Sequence, residues 1–373
     1  MNSSITELSR RSIITGAPVY DPGIQPLVNT NGVWQVNRHK EAATVLADHR
    51  SFSGEYPFLQ EGDIFTDQLI INDPLQHTLL RSLTGKAFST QLIYHLETMV
   101  RRECHAVLAP LMRHGEMEFV SEFAQVLPFQ VISRLLGIPA RNNVQLSAWV
   151  QAVTCGYSSG IAQSAQIIQQ LHLFFIELIQ ERWEHPQEDF ITRLLFAEAE
   201  GERFSTQDVI AICFFLFFES YGNIKNSFIN VLQIITAIPG LQAHLAAQPS
   251  DISQAIAEAL RLSPASPDIL RIAVKDILIS GTPIQKGQPL HIDAAAVNRD
   301  SAVFTEPHTF NMTRTNHCQV LASGAYLHQS IEAPLTTIVL NAAFETLLIH
   351  AAIFSIQYNH PEKIFISFQH RSV

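Results

Sequence analysis

Several side chains that can transfer protons lie close together in the segment Leu321-Ala-Ser-Gly-Ala-Tyr-Leu-His-Gln-Ser-Ile-Glu-Ala-Pro-Leu335. It carries a phenol, an imidazole and a carboxylate at Tyr326, His328 and Glu332, with the hydroxyl of Ser330 between the last two. Such groups act as general acids and bases when they line a cavity beside a substrate. The segment is therefore the first candidate for a site of chemistry.

A second polar pair occurs in the segment Asn72-Asp-Pro-Leu-Gln-His-Thr-Leu-Leu-Arg81. Asp73 followed by Pro74 is typical of a helix N-terminus. His77 and Arg81 are four residues apart, so both side chains project from one face of the predicted helix. Taken alone, this spacing is equally typical of two surface residues.

The second half of the chain adds three charged residues with a defined spacing. Glu258 and Arg261 are three residues apart in a helical pattern and are predicted to form an ion pair. Arg271 follows in the segment Leu270-Arg-Ile-Ala-Val-Lys-Asp-Ile, where it is compatible with a solvated strand residue.

Helices are the elements that must position these residues. Apolar residues recur at helical spacing from Gln91 to about Trp183. Ser205 and Asp208 predict a capped helix that continues to about Ile238, whereas Val33-Trp-Gln-Val36 alternates as a strand does. We therefore predict a protein of the mainly α class.

Composition limits the function classes. Charged residues make up 16% of the chain, and the formal net charge is −10 without a basic run, which argues against nucleic acid and anionic membranes as partners. The longest apolar run, Val209 to Phe218, is shorter than the roughly 20 residues that span a bilayer. The four cysteines are scattered, and the start of the chain shows no signal peptide, so we expect reduced thiols, no metal site and a cytoplasmic location.

The segment 321–335 resembles the haem-binding loop of bacterial cytochromes P450. That pattern is approximately Phe-Gly-x-Gly-x-His-x-Cys-x-Gly, followed by Ala-Pro-Leu and a helix. The residues that match are Gly324, His328, Ala333, Pro334 and Leu335. Ser330 stands where the family has the cysteine thiolate that holds the iron, and Tyr326 and Glu332 stand where it has glycine.

The resemblance extends in order from about residue 17 to the end, which implies one P450-like domain over residues 1–373, with a large helical part and a small β-rich region. It implies that His77, Arg81, Arg271 and His328 occupy haem-propionate positions. Glu258 and Arg261 are then buried structural partners. The arginine that completes their network in the family is replaced by Thr309, so we expect that network to be weakened or rearranged.

The resemblance also implies that the helix beginning near Ser205 crosses the distal face of the haem. The family carries an acid and a threonine there, which deliver protons to bound dioxygen. Counting places Gly222 and Asn223 at these positions, with Glu219 and Ser220 one turn earlier as a possible displaced pair.

Replacement of the thiolate removes ordinary monooxygenase chemistry. A thiolate donates electron density that favours cleavage of the O–O bond, whereas a serine hydroxyl stays neutral near pH 7 and is a poor ligand for haem iron. We therefore expect no cofactor, with bound haem as the alternative, ligated by Tyr326 or His328.

Three hypotheses about function remain open. The first is an auxiliary protein for a partner enzyme such as a glycosyltransferase in natural-product biosynthesis, as in some haem-less homologues. It would bind that partner or a second copy through the apolar helix 336–349, whose one charge is Glu345, unless the helix is buried within the chain. The second is acid–base catalysis by Glu332, Tyr326 or Glu219 on an apolar small molecule in the haem cavity. The third is a haem protein with a non-cysteine ligand.

Overall fold

The computed structural model describes residues 25–54, 90–155, 161–199, 201–321, 332–350, 354–360 and 363–368. Helices dominate these residues, as the spacing of apolar positions predicts. In chain order they are α1 His39–Ala47, α2 Thr90–His114, α3 Val126–Leu135, α4 Asn143–Cys155, α5 Ile161–Glu184, α6 Phe190–Phe196, α7 Thr206–Phe215, α8 Tyr221–Ala237, α9 Leu241–Ala247, α10 Ile252–Leu262, α11 Ala294–Val297 and α12 Glu332–His350.

The elements α7 and α8 form one long helix. Its start is fixed by the predicted capping box, in which the Ser205 hydroxyl accepts from the Asp208 N–H and the Asp208 carboxylate accepts from the Ser205 N–H. Between α7 and α8 the turns Leu216–Ser220 are π-helical, and the Tyr221 N–H donates to the Leu216 carbonyl. The long helix therefore contains one extra residue where it crosses the core.

Twelve strands complete the described fold: β1 Leu27–Thr30, β2 Val33–Val36, β3 Phe52–Ser53, β4 Glu116–Glu118, β5 Glu198–Ala199, β6 Glu202–Arg203, β7 Asp268–Ala273, β8 Ile277–Ile279, β9 Thr282–Ile284, β10 Pro289–Asp293, β11 Phe354–His360 and β12 Lys363–Phe368. A five-stranded sheet has the order β1-β2-β10-β7-β3, and a three-stranded sheet has the order β11-β12-β4. Two hairpins, β5-β6 and β8-β9, stand apart.

The buried apolar residues form two clusters. The larger one surrounds the long helix and includes Phe119, Phe123 and Phe228, whose rings contact one another at centroid distances of 5.4 to 6.4 Å. The smaller one lies between α1 and the five-stranded sheet, with Leu290 and Ile292 of β10 at its centre. The predicted division into a large helical part and a small β-rich region is confirmed.

Helix α12 contains the apolar residues that suggested a protein contact, and the structure accounts for them differently. Val339 and Leu340 are fully buried, together with Phe344 and Leu348, in the larger cluster. The helix packs mainly against α2, and its Glu345 pairs with Arg101 at 2.5 Å. Ile349, which is half exposed, is the large apolar side chain that α12 leaves at the surface. The apolar character of α12 therefore reflects burial within this chain, and contact with a partner stays a prediction.

In the part of the chain that the structure describes, no single helix is long and apolar enough to cross a bilayer. Thr206–Ala237 and Leu241–Ala247 pass that test by length and composition only as a pair, bent by 105°.

Candidate functional site

Most residues of the predicted haem loop and of the first propionate helix lie outside the described residues. This applies to His77, Arg81, Tyr326, His328 and Ser330. Glu332 begins α12, and its side chain also lies outside the described part. Glu219 and Arg271 are the predicted site residues whose surroundings the structure gives.

The π-helical turns of the long helix hold Glu219 and Ser220. Glu219 is exposed, whereas Ser220 is fully buried, and its hydroxyl has no hydrogen-bond partner among the described residues. A buried hydroxyl without a partner is unusual, and π-helical turns occur frequently at functional sites. The two side chains lie in different surroundings, so Glu219 and Ser220 do not form a hydrogen-bonded acid–alcohol pair.

One turn later, Gly222 and Asn223 occupy the positions to which counting assigned the family's acid and threonine. A Cβ atom on Gly222 would meet no atom of the described residues within 4 Å beyond its own helix, so these residues leave open space beside α8. The side-chain amide oxygen Oδ1 of Asn223 accepts a hydrogen bond from the Ser266 hydroxyl. This contact ties α8 to the segment between α10 and β7.

Arg271 lies on the buried face of β7, in the same row as Ile269 and Ala273. Only 9% of its surface is exposed, and its guanidinium donates to the Leu270 carbonyl at 2.7 Å. The interpretation of Arg271 as a solvated strand residue is therefore wrong. Arg271 pairs with Leu290 of β10, and this position places its positive charge on the inner side of the five-stranded sheet.

Glu258 is the centre of a buried ionic network. The Arg261 guanidinium donates to both Glu258 carboxylate oxygens, at 2.9 and 2.8 Å, and both side chains are fully buried. Arg314 donates to the same carboxylate from Nε at 2.9 Å, and His317 Nε2 lies 3.1 Å from it. The backbone N–H of Asn311 adds a bond at 2.9 Å. The network is rearranged, as expected, but these contacts leave it complete rather than weakened.

The electrostatics of Glu258 follow from these contacts. Burial acts to raise the pKa of the carboxyl, but the hydrogen bonds and charge of Arg261, the bond from Arg314 and the Asn311 N–H outweigh it and hold the pKa below its usual range. Glu258 is therefore an ionised structural residue rather than a proton donor.

The chain leading to the predicted haem loop is anchored by buried side chains. Asn298 binds both backbone groups of Leu321, donating to its carbonyl at 2.7 Å and accepting from its N–H at 2.8 Å. His39 Nε2 lies 2.7 Å from the Gln319 carbonyl. These contacts fix the path of residues 317–321 relative to α1, α10 and α11.

The model of the cytochrome P450 family matches residues 252–327, which include α10, β7 and the anchored segment. Protein YjiB of Bacillus subtilis (strain 168), whose name assigns it provisionally to the cytochromes P450, is 30% identical over 326 residues. The alignment covers 85% of this chain and 82% of that protein.

The chain belongs to the cytochrome P450 family. Mycinamicin IV hydroxylase/epoxidase of Micromonospora griseorubida is 26% identical, over 84% of this chain and 81% of that one. Among solved structures, substrate-free CYP109E1 from Bacillus megaterium superposes with a TM-score of 0.86 at 20% identity, covering 92% of this chain and 95% of that one. CYP109B1 from Bacillus subtilis gives 0.83 at 26% identity, covering 92% and 96%. The P450 fold predicted from the sequence is confirmed.

Family membership corrects the expectation that no cofactor binds. Members of the P450 family are haem-binding enzymes, and this finding overturns that expectation. The described residues fit such a group on two sides. Gly222 leaves open space beside α8 among the described residues, and Arg271 provides a buried cation on the inner face of β7. The iron-ligand position that the resemblance assigns to Ser330 lies outside the described residues and stays a prediction.

Three structural residues were missed from the sequence. Arg314 and His317 reach Glu258 from the irregular segment that follows β10 and α11, where no periodicity predicts their direction. Nothing in the local sequence marks Asn298 as the residue that binds Leu321. The arginine expected directly before Phe310, where Thr309 stands, has no counterpart there, because the segment turns back and delivers its cation from position 314.

Proposed function

We propose that this protein is a P450-family member that holds haem without a cysteine thiolate and does not perform thiolate-dependent hydroxylation. The observation that carries the proposal is the alcohol of Ser330 at the position of the iron ligand. When bound through a thiolate, haem supplies oxygen activation that inserts oxygen into substrates. A neutral hydroxyl donates far less electron density than a thiolate and does not support that chemistry.

The residues of α8 that are proposed to face the distal side of the haem support the same proposal. Proton delivery needs an acid and an alcohol that face the cavity together. Gly222 has no side chain, and the side-chain amide oxygen of Asn223 accepts a hydrogen bond from the Ser266 hydroxyl across the gap between α8 and the segment before β7. An amide does not titrate near pH 7, so Asn223 orders the wall of the cavity instead of moving protons.

The remaining contacts support retention of the cavity. Arg271, His77, Arg81 and His328 are the residues proposed to hold the haem carboxylates. The Glu258 network and the Asn298 clamp keep α10 and the segment 317–321 in a fixed relation. The open space beside Gly222 leaves room for the group or for an apolar ligand.

An auxiliary role beside a glycosyltransferase stays a prediction of the sequence. The apolar residues of α12 that motivated it are explained by their packing against α2 and the long helix, so the surface argument for that role is gone.

The test is the absorption spectrum of the purified protein after addition of hemin and, in the reduced state, carbon monoxide. We expect a haem complex without the long-wavelength carbon monoxide band that marks thiolate ligation, and we expect Ser330→Cys to gain that band. Cys318→Ser is the matched control, because it removes the exposed thiol nearest in sequence to the loop. A thiolate band in the unmodified protein, or failure of both forms to bind hemin, would overturn the proposal.

A further inference from the structure

A cleft lies between three elements. One wall is the face of α8 that carries Asn226, Ile229 and Asn230, the second is the segment from Leu262 to Pro267, and α11 closes the end. Its volume is about 370 Å³. A space of this size admits a molecule as large as an amino acid, and clefts with a few convergent polar groups on apolar walls are typical binding sites.

Arg299 lines this cleft and is its charged residue. The side chain is 2% exposed and donates to the Leu262 carbonyl at 2.6 Å and to the Ala295 carbonyl at 2.7 Å. These bonds connect α11 to the C-terminal end of α10. A guanidinium has five N–H donors, so the two bonds leave donors for a further acceptor.

The charge of Arg299 is incompletely balanced. Among the residues that the structure describes, it forms no ion pair with a carboxylate, whereas the neighbouring Arg261 is paired with Glu258. Burial lowers the pKa of Arg299 to about 10, and the charge of Arg261 acts in the same direction, whereas Asp293 and Glu258 oppose it. At neutral pH the group is a cation whose hydration has been removed, and such a group is stabilised by an anion.

Two asparagines orient acceptors at the same cleft. The Asn226 amide nitrogen donates to the Ala265 carbonyl at 3.3 Å, and that of Asn230 donates to the carbonyls of Ser263 and Pro264 at 3.1 and 3.2 Å. The nitrogen of each amide points at these backbone carbonyls. The oxygen of the same amide therefore points away from them. The cleft thus combines a buried cation, two amide oxygens and the apolar side chains of Ile229, Pro264 and Pro267.

We propose that this cleft binds a small apolar amino acid, with its carboxylate at Arg299 and its ammonium group at the amide oxygens of Asn226 and Asn230. A carboxylate supplies the anion that the guanidinium lacks, and an ammonium group supplies the donors that two amide oxygens accept. The aliphatic side chain of the ligand packs on Ile229 and the two prolines.

Calorimetric titration with L-leucine tests this site, and the matched ligands are L-leucinamide, which lacks the carboxylate, and 4-methylpentanoate, which lacks the ammonium group. We expect leucine to bind at one site per chain and each analogue to bind roughly tenfold more weakly, as expected for loss of one charge-assisted contact. Equal binding of leucine and leucinamide, or no binding of leucine, would refute the proposal.

The variant Asn226→Leu locates the site. It removes one of the two amide oxygens proposed to accept from the ligand's ammonium group, so we expect leucine affinity to fall roughly tenfold. Asn29→Leu in the exposed strand β1 makes the same change of side chain away from the cleft and should leave affinity unchanged. If Asn226→Leu, folded by its circular dichroism, binds leucine as tightly as the unmodified protein, the cleft is not the site. The result does not depend on haem ligation.

Discussion

Arg314 donates its Nε–H to the fully buried carboxylate of Glu258 at 2.9 Å, from a position five residues beyond the threonine that replaces the expected arginine. The same guanidinium donates to the carbonyls of Thr305, Glu306 and Thr309. One side chain thus ties the irregular segment before the haem loop to α10. The fold keeps the function of the network although the sequence places the cation elsewhere.

Replacing Arg314 should be strongly destabilising. In Arg314→Gln the Glu258 carboxylate keeps Arg261 but loses the second cation. The carbonyls of Thr305 and Glu306 lose their donor, whereas the Thr309 carbonyl keeps a bond from Arg261. Removing one partner from a buried charged network typically costs about 3–5 kcal/mol. We expect a loss of this size in the free energy of unfolding, measured by urea denaturation.

The control for this change is Arg203→Gln. Arg203 pairs with Glu198 at 2.7 Å, but both side chains are about half exposed, so the expected loss is only about 0–1 kcal/mol. Similar losses for the two variants would contradict the assignment of Arg314 to the buried network.

The second prediction concerns Gly137, which has a positive φ and lies close to Asp189. Its φ is 71°, and a Cβ there would lie 2.6 Å from the Cβ and Cγ of Asp189. Asp189 caps α6 through the Thr192 N–H and pairs with the buried Arg182, so it has little freedom to move. We expect Gly137→Ala to lose roughly 3 kcal/mol from backbone strain and overpacking, measured by thermal unfolding.

Gly32→Ala and Gly287→Ala separate the two causes. Both glycines have a positive φ, 86° and 85°, but a Cβ at either would meet nothing within 4 Å. The strain of the left-handed conformation alone should cost roughly 1–2 kcal/mol. If Gly137→Ala were no worse than these two variants, the contact with Asp189 would have to be absent in solution.

The environment of Glu118 is expected to make the stability of the protein depend on pH. Burial acts to raise the pKa of Glu118, but hydrogen bonds from Ser121, Ile364 and Val120 outweigh it, and the net pKa lies below the ordinary value of 4.5. Since the folded-state pKa is lower than the unfolded-state pKa, the unfolded state binds more protons between the two values. The stabilisation is complete above pH 4.5 and is lost as the pH falls through the folded-state pKa.

The measurement is the urea midpoint at a series of pH values from neutral to below 4.5. We expect Glu118→Gln to be about 1 kcal/mol less stable at neutral pH, as for loss of a helix cap, and to lose less of its remaining stability on acidification. Glu116→Gln, an exposed residue of the same strand, should follow the unmodified protein. An acid profile of Glu118→Gln identical to that of the unmodified protein would assign the acid sensitivity to other groups, such as Glu258.

Local features of the fold were predictable because their causes are local. The capping box at Ser205 and the strand Val33–Val36 both appear where capping chemistry and periodicity predict them. The turn at Ser280 and Gly281 joins β8 to β9, whereas β10 pairs with β2 and β7. Strand pairing between distant segments depends on the whole sheet, so local turn residues did not reveal it.

The sequence left the surroundings of α12 and of Arg271 open for a shared reason. The apolar residues of α12 suggested a partner, which stays a prediction, and Arg271 alone was compatible with solvent exposure, because composition does not say which surface covers a residue. The structure covers Val339 and Leu340 with the helical core and places Arg271 on the inner face of β7. The expectation of no cofactor rested on the segment 321–335 alone. Family membership rests on most of the chain, and members of the family bind haem.

The sequence by itself determined the helical class and the P450 resemblance, because each depends on residue type and short-range order. Tertiary structure alone decided that Arg314 completes the Glu258 network, that Asn298 clamps Leu321 and that Asn223 bonds to Ser266. These contacts join residues 23 to 56 positions apart in the chain, and only packing of the whole core brings such groups within hydrogen-bond distance.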